Sequence, residues 1–430
     1  ARDVSILARD DSSITSLAGA VSLAAGVGAV GVAVSVGVSS AVNEVSNSVE
    51  AVVEDSRLIT RSAGTGVSIR ALTGDIFPVL NLAGINSAAL NDASRTETTG
   101  SGSNETAVQS DVNGDNTILG NLRTALENAG EDILGELRLT IVEEGEAWSL
   151  VDTETATQWI LRQGTSGITA ERATISSVAF AASVAVGGGI VGVAVSGAGA
   201  VSINAVNTNT VAAIRGHHAT AGAWDTAGTS VTVDAQSVSR INASVVTASL
   251  AVGAGAVGVG VSIGVSIAKN YIGYDATGAA LAGWGQTLAE VVDAELGTAS
   301  GGETGALLVK AQSNREINAM VFAGAGALSV GAVGLAAAGA GVSSINLIAG
   351  ETVARIGGSD ARIYATTVTV DADDVSTIDS TANAVALSFA AGLFGGSVSI
   401  AASTARNEIL SETIAEISQF DYGATPTDAN

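Results

Sequence analysis

The stretch VSLAAGVGAVGVAVSVGVSSAVN, residues 21–43, decides the fold class because its branched residues recur at every second position. Between Val30 and Val38, Val alternates with Gly, Ala and Ser, and a period of two is typical of a β-strand. The stretch is long enough for a membrane helix, but its glycines are costly in a helix, and its flanks lack aromatic belts and Lys/Arg-rich loops. We therefore interpret it as interior strands of a stacked β structure that does not span a membrane.

The two faces of these strands differ in side-chain size. We expect the small residues on one face to let two sheets approach closely, and the branched residues on the other face to fill a dry core. Both faces are then buried. The Gly-rich segment GVGAVG (26–31) is expected to mark a turn or bend between strands.

The same pattern recurs in register, so the chain contains an internal repeat. Similar runs occupy residues 177–206, 244–272, 320–348 and 382–410. Every copy has an Ile followed 29 residues later by an Asn: Ile14–Asn43, Ile175–Asn204, Ile241–Asn270, Ile317–Asn346 and Ile378–Asn407. The Asn residues are separated by 161, 66, 76 and 61 residues, and rigid blocks with variable connectors are typical of a solenoid. The sequence predicts an all-β fold, a parallel β-solenoid of five imperfect repeats rich in Gly, Ala and Val.

The repeats and one long insertion divide the chain. Four copies carry an Ala six residues before the Ile, at Ala8, Ala235, Ala311 and Ala372, which supports the alignment. The predicted bounds are 1–79 for repeat 1, 80–165 for the insertion, 166–230 for repeat 2, 231–306 for repeat 3, 307–366 for repeat 4 and 367–430 for repeat 5.

The recurring asparagines are the principal candidate for a functional or structural row. In a stack, equivalent Asn side chains can form a ladder of amide hydrogen bonds and tolerate a left-handed backbone at a turn. We expect Asn43, Asn204, Asn270, Asn346 and Asn407 to form such a ladder. A row of ligand-binding amides is the functional alternative.

The insertion differs in character from the repeats. Residues 94–116 are polar and loop-like, 116–139 have apolar residues at helical spacing, and 146–163 read as a β-hairpin with Trp148 and Trp159 on its arms. An α+β excursion of this kind is either a partner-binding element or a decorative loop domain.

A calcium site is the one cofactor site that the sequence raises. Asp111, Asn113 and Asp115 occupy the first, third and fifth positions of an EF-type loop, but Asn116 replaces the expected Gly and Leu122 the expected Glu. The adjacent His217 and His218 are expected at a surface turn, and Asp373 and Asp374 at a solvated turn of a repeat. Calcium aside, no cofactor is expected.

Composition limits the classes of function. The net charge is −24, which disfavours nucleic acid as a partner. The chain contains no Cys, and large secreted bacterial proteins often lack this residue. No P-loop or catalytic Ser–His–Asp pattern is evident, so no catalytic residue is predicted and the chain is not expected to be an enzyme.

The repeat block resembles known surface proteins. GIVGVAVSGAGAVSINAV (189–206), TVAAI (210–214) and GVGVSIGVSIAKNYIG (258–273) are similar to segments of the giant repeat-built proteins of Gram-negative bacteria: filamentous-hemagglutinin and leukotoxin-type filamentous adhesins, and the long adhesins related to RTX proteins. The hairpin at 146–163 looks like modules that interrupt such arrays. The resemblance implies a secreted or cell-surface β-solenoid stalk used in attachment, aggregation or matrix formation. It supplies no binding residue, and the RTX calcium repeats are absent.

These observations lead to an expected function and two alternatives. The first expectation is a non-catalytic stalk segment of an extracellular or cell-surface adhesin or matrix fibre. Its partners would be flanking repeats or other copies of itself, and cell-surface or matrix glycans or proteins. The main alternative is an extracellular filament subunit that stacks end to end through open solenoid edges. The lesser alternative, a glycan-active β-helix enzyme, requires clustered Arg, Lys or Tyr residues, whereas the basic residues here are scattered.

Overall fold

A computed structural model describes residues 4–10, 12–56, 66–74, 98–99, 106–107, 139–144, 147–152, 158–164, 167–171, 174–216, 229–281, 283, 285–297 and 304–418. The chain forms two compact units, one of residues 1–73 and 174–430 and one of residues 74–173.

Regular structure in the described part of the chain consists of β-strands. In chain order they are β1 (Val4–Asp10), β2 (Ile14–Glu54), β3 (Gly66–Thr73), β4 (Thr98–Thr99), β5 (Thr106–Ala107), β6 (Leu139–Glu144), β7 (Ala147–Asp152), β8 (Gln158–Gly164), β9 (Gly167–Glu171), β10 (Ile175–Arg215), β11 (Ser230–Ala254), β12 (Val257–Ile272), β13 (Gln286–Val292), β14 (Glu295–Leu296), β15 (Thr304–Val330), β16 (Val333–Gly357), β17 (Arg362–Ile363), β18 (Ala365–Ala391) and β19 (Phe394–Ser418).

Parallel pairing joins equivalent segments of the first unit into successive layers. Strand β10 pairs with β2 in one register over residues 175–189 and 191–215, and on its other side with β11, β12 and β13. Strand β11 then pairs with β15 and β15 with β18, while β12 pairs with β16 and β16 with β19. The unit is therefore all-β, with long parallel strands in one large sheet, consistent with a parallel β-solenoid. We number the layers 1 to 5 after the strands that contain Ile14, Ile175, Ile241, Ile317 and Ile378, which pair in that order.

The second layer begins earlier in the chain than the predicted bounds place it. Val67 of β3 pairs with Val4 on one side and with Val231 on the other, so β3 lies between layers 1 and 3. Residues 66–73, assigned to repeat 1 by the sequence, thus belong with β10 in layer 2. Ala71 pairs with Ala8 and Ala235 and completes the row of Ala residues. The chain leaves layer 2 after Thr73 and re-enters it at Thr174, because the second unit spans Gly74–Ala173.

Each layer of the first unit projects an arch. The first arm of the arch comprises residues 14–26, 175–187, 241–253, 317–329 and 378–390, and the second arm comprises 31–43, 192–204, 258–270, 334–346 and 395–407. The backbones of the arms pair with neighbouring layers, whereas their side chains meet across the arch: the hydroxyls of Ser249 and Ser262 lie 2.5 Å apart. A methyl group on Gly253 would collide with the backbone of Val259. The arms therefore approach too closely for larger side chains between them.

The exposure of the branched face differs from the sequence expectation that both faces of these strands are buried. The small face is buried between the arms as expected, with Ala33 only 3% exposed. The branched face is not a dry core, because Val34 is 61% exposed and Ile263 in an inner layer is 52% exposed. Side chains of Gly, Ala and Ser fill the narrow space between the arms, so alternation directs their branched neighbours outward.

A core of branched residues does exist, at the base of the arch. Val67, Ile69, Val231, Val233, Ile214, Val291 and Ile356 pack there with rows of Ala from each layer. A neighbouring cluster contains the repeat Ile residues Ile175, Ile241 and Ile317. Full burial of such side chains stabilises a fold by about 1.5–3 kcal/mol each, so the base anchors the arch.

The second unit is described only in part. Strands β6, β7, β8 and β9 form an antiparallel sheet in that order, and β4 pairs antiparallel with β5. Strands β7 and β8 form an antiparallel pair within the 146–163 segment in which the sequence predicts a hairpin. Residues 116–138, where a helix is expected, lie outside the described residues, as does the loop with Asp111, Asn113 and Asp115. The α part of the predicted excursion therefore stays a prediction.

Candidate functional site

The asparagine row is the most regular polar feature of the first unit. The Nδ2 of Asn43 donates to the Oδ1 of Asn204 at 2.8 Å, and the same 2.8 Å bond joins Asn204 to Asn270, Asn270 to Asn346, and Asn346 to Asn407. Asn204, Asn270 and Asn346 are fully buried. A continuous chain of amide hydrogen bonds thus links all the layers in one direction.

The backbone around this ladder differs from the expected turn. Each of the five Asn residues lies inside a strand, at the base end of the second arm, and the left-handed backbone that the sequence suggested is not found at any of them. The extended backbone repeats at the strand spacing of about 4.8 Å, which places successive amides within hydrogen-bond reach. Neighbouring hydroxyls support the ladder: Nδ2 of Asn204 also donates to Ser202, and that of Asn346 to Ser344.

A second polar row crosses the inside of the arch. The hydroxyl of Ser196 donates to that of Ser183 at 3.0 Å, Ser183 donates to Ser35 at 3.0 Å, and Ser35 lies 2.7 Å from the Ser22 hydroxyl. Because hydroxyl groups both donate and accept, each hydroxyl of the row has a neighbouring hydroxyl as a partner. The interior of the arch is therefore a hydrogen-bonded contact between the two arms.

Ion pairs join layers on the other side of the base. Glu290 is 1% exposed, and its two carboxylate oxygens lie 2.5 Å from Arg215 in layer 2 and 2.5 Å from Arg355 in layer 4. Both oxygens of the buried carboxylate therefore have a cationic partner. The triad joins three layers, and removal of either Arg would leave the buried Glu290 charge less well compensated.

The sequence suggested that Asp374 lies at a solvated turn, but the structure places it elsewhere. It is part of β18, and its side chain is 6% exposed, 2.5 Å from the guanidinium of Arg315. Arg315 also donates to the carbonyl of Gly285 at 2.7 Å. Burial lowers the pKa of the Arg315 guanidinium, and the neighbouring Asp374 carboxylate opposes that effect. The pair is structural: both charges are buried and each is the other's partner.

An open recess lies on the outer face of the first arm, close to the base. Its volume is about 430 Å³, and its lining includes Asn242, Asn318, Met320 and Asp379. Nδ2 of Asn318 donates to Oδ1 of Asn242 at 3.1 Å and to Glu316 at 2.7 Å. The amides are thus engaged with their neighbours, and the recess holds a short second row of Asn residues.

The remaining sequence candidates meet different outcomes. His217 and His218, like the calcium candidates, lie outside the described residues. Within the described ranges, no group of three or more His, Cys, Asp or Glu side chains could hold a metal ion. In those same ranges, no helix has the length and apolar character needed to cross a membrane.

Sequence reasoning missed the ion pairs that join the layers. Arg215 and Arg355 lie 75 and 65 residues from Glu290, and connectors of unequal length hide their proximity. The signal for these pairs is in the strand that follows the ladder Asn. It carries a base in layers 2 and 4 and an acid at a neighbouring position in layer 3. No protein-family model, curated protein or solved structure matches the chain, so the resemblance to filamentous adhesins rests on the repeat sequence alone.

Proposed function

We propose that the chain is a non-catalytic segment of an extracellular fibre: a five-repeat parallel β-solenoid that acts as a stalk in a bacterial adhesin or matrix protein. The observation that carries the proposal is the unbroken asparagine ladder through all five layers. Along it, each layer supports the next by the same backbone and side-chain bonds. Such repetition suits a rod, whose mechanical resistance is a sum of equal contacts between neighbours.

The charge distribution favours an extracellular fibre on independent grounds. Acidic residues exceed basic ones by 24, which keeps an extended protein soluble and separates it from anionic surfaces. The resemblance of residues 189–206 to surface adhesins of Gram-negative bacteria points to the same location, with glycans or proteins of a cell surface or matrix as partners of the longer fibre.

The test is the location of the chain on producing cells. An antibody raised against the purified chain should label intact bacteria, and protease added outside the cells should remove the label. An antibody to a cytoplasmic protein serves as the control and should label only permeabilised cells. Label that appears only after permeabilisation would contradict the proposal.

A second candidate, end-to-end assembly into filaments, is favoured by the direction of the ladder. Asn43 acts as a donor to layer 2, and Asn407 accepts from layer 4. A further layer at either end would therefore meet an amide of the complementary sense: the oxygen of Asn43 at one end and the nitrogen of Asn407 at the other. Electron microscopy of the diluted chain separates the candidates, because a stalk segment gives discrete short particles and a filament subunit gives long fibres of constant width.

A further inference from the structure

The outer face of the second arm carries an alternation that its own fold does not explain. Two adjacent rows run across the layers. The first row is Val36, Gly197, Ile263, Gly339 and Ile400, and the second row is Val38, Gly199, Val265, Gly341 and Ala402. Layers 1, 3 and 5 thus present side chains, and layers 2 and 4 present bare backbone. We call these two rows the ridged face.

The side chains of the ridged face project into solvent. Val36 is 62% exposed, Ile263 is 52% exposed and Ile400 is 67% exposed. Charge is nearly absent from the second arms, whose charged residues are Lys269 and Arg406, each next to a ladder Asn. An apolar sheet face with so little charge is typical of an interaction surface.

The glycines of the ridged face are not required by the fold. None of the four has a positive φ. A methyl group on Gly339 or Gly341 would meet no atom within 4 Å, and one on Gly197 would lie 3.9 Å from Val36, an ordinary contact. The inward glycines differ, because a methyl group on Gly260 would lie 2.7 Å from the carbonyl oxygen of Leu328. Gly inside a strand weakens it and often marks a place where another backbone approaches closely.

We propose that the ridged face is a self-association surface, on which a second copy of this chain packs its own ridged face. Two copies related by a two-fold axis parallel to the strands present their layers in opposite order. With the axis between layers 2 and 3, layer 1 faces layer 4 of the partner and layer 2 faces layer 3. Val36 then enters the gap over Gly339, and Ile263 enters the gap over Gly197. Arg406, in layer 5, stays outside the contact, and Lys269, in layer 3, lies at the base end of the arm, four residues beyond Val265.

The outer face of the second arm, with the ridged face at its centre, is large enough for a stable dimer. Four layers at about 4.8 Å and an arm of 13 residues at about 3.3 Å each give roughly 800 Å² per copy, and stable interfaces bury about 800 Å² per partner. A lipid surface could bind the exposed apolar side chains, but lipid binding does not require gaps at alternate layers. The alternation therefore favours a second copy over a membrane.

The test is the oligomeric state of the full chain and of a variant that fills the gaps. Sedimentation velocity should show a dimer for the wild type, and Gly197→Val with Gly339→Val should raise the dissociation constant at least about tenfold. The circular dichroism spectrum and the melting temperature of the variant should be unchanged or improved, since Val suits an exposed strand position. Ala248→Val, on the outer face of the first arm, is the matched control and should leave the dimer intact.

Several results would overturn the proposal. A wild-type chain that stays monomeric at high concentration has no such interface, and flotation of that monomer with neutral phosphatidylcholine vesicles would assign the face to lipid. A double variant that melts at lower temperature would show that the fold itself needs these glycines. Ile263→Ala removes a ridge without filling a gap and should also weaken the dimer; retention of full affinity in both variants would exclude the face. Filaments that persist in both variants would point to the layer ends.

Discussion

Asn204 and Asn270 lie 66 residues apart in the chain, yet the amide nitrogen of Asn204 donates a 2.8 Å hydrogen bond to the amide oxygen of Asn270. Both side chains are fully buried. The same bond recurs between every pair of successive layers. The residue that marks the repeat in the sequence therefore also bonds successive layers in the fold.

The ladder predicts the effect of removing one amide from its middle. Asn270→Leu leaves the Nδ2 of Asn204 with its bond to Ser202 alone and removes the ladder donor from the buried oxygen of Asn346. A buried polar atom that loses its partner costs about 1–3 kcal/mol. We expect a lower free energy of unfolding by at least that amount, measured by urea denaturation. Asn407→Leu is the control at the exposed end of the ladder. It breaks one ladder bond, that from Asn346, whereas Asn270→Leu breaks two, so an equal loss in both variants would contradict the role of the ladder.

The arch predicts opposite outcomes at two adjacent residues. Ala33 faces the other arm and is 3% exposed, whereas Val34 faces outward and is 61% exposed. Ala33→Asp buries an unpaired charge and should prevent folding. Val34→Asp should fold with a melting temperature close to that of the wild type. Circular dichroism at increasing temperature distinguishes them, and similar behaviour of the two variants would show that the assigned inside and outside are wrong.

The glycines of the second arm predict a similar contrast. Gly260→Ala places a methyl group 2.7 Å from the carbonyl oxygen of Leu328, whereas Gly341→Ala meets nothing within 4 Å. Overpacking costs about 1–3 kcal/mol, so the first change should lower the melting temperature. The second removes a flexible Gly from a strand and should leave the melting temperature equal or higher. A loss of stability in Gly341→Ala would mean that the outer face is packed within the chain.

The buried pair of Arg315 and Asp374 predicts strong coupling. Asp374→Asn or Arg315→Met alone leaves one buried charge and should cost about 3–5 kcal/mol. Arg315→Met combined with Asp374→Leu should recover much of that loss, as apolar replacements of a buried pair do. The exposed pair of Arg406 and Glu408, with side chains 65% and 37% exposed, is the control, and its removal should change stability by less than about 1 kcal/mol. A small, additive effect at the buried pair would contradict its structural role.

The architecture was predictable from the sequence where the signal was local. Alternation of Val with small residues indicates strands, and the constant spacing from Ile14 to Asn43 and their equivalents gives the register of the layers. A period of two separates the faces of a strand but does not say which face is buried. The close approach of the two arms decides that, and it places the small residues inside.

The start of layer 2 was not predictable in the same way. Ala71 and Ile175 belong to one layer, but about a hundred residues of the second unit separate them in the chain. The similarity of VSIRAL (67–72) to VSILAR (4–9) is the signal that could have assigned β3 to that layer. The ion pairs were not predictable for the same reason. Their partners become neighbours only when the repeats are aligned and the connectors of unequal length are left out.

The measurement that tests the account most directly is disulfide mapping of the layer register. The chain contains no Cys, so introduced pairs report without interference. Val195 and Val261 are partners in adjacent strands, at a Cα separation that a disulfide can bridge. Val195→Cys with Val261→Cys should form an intramolecular disulfide under mild oxidation. Val195→Cys with Val265→Cys, four residues out of register, should not form one. Equal rates of cross-linking in the two variants, or cross-linking only in the second, would contradict the stacked solenoid on which the proposed fibre depends.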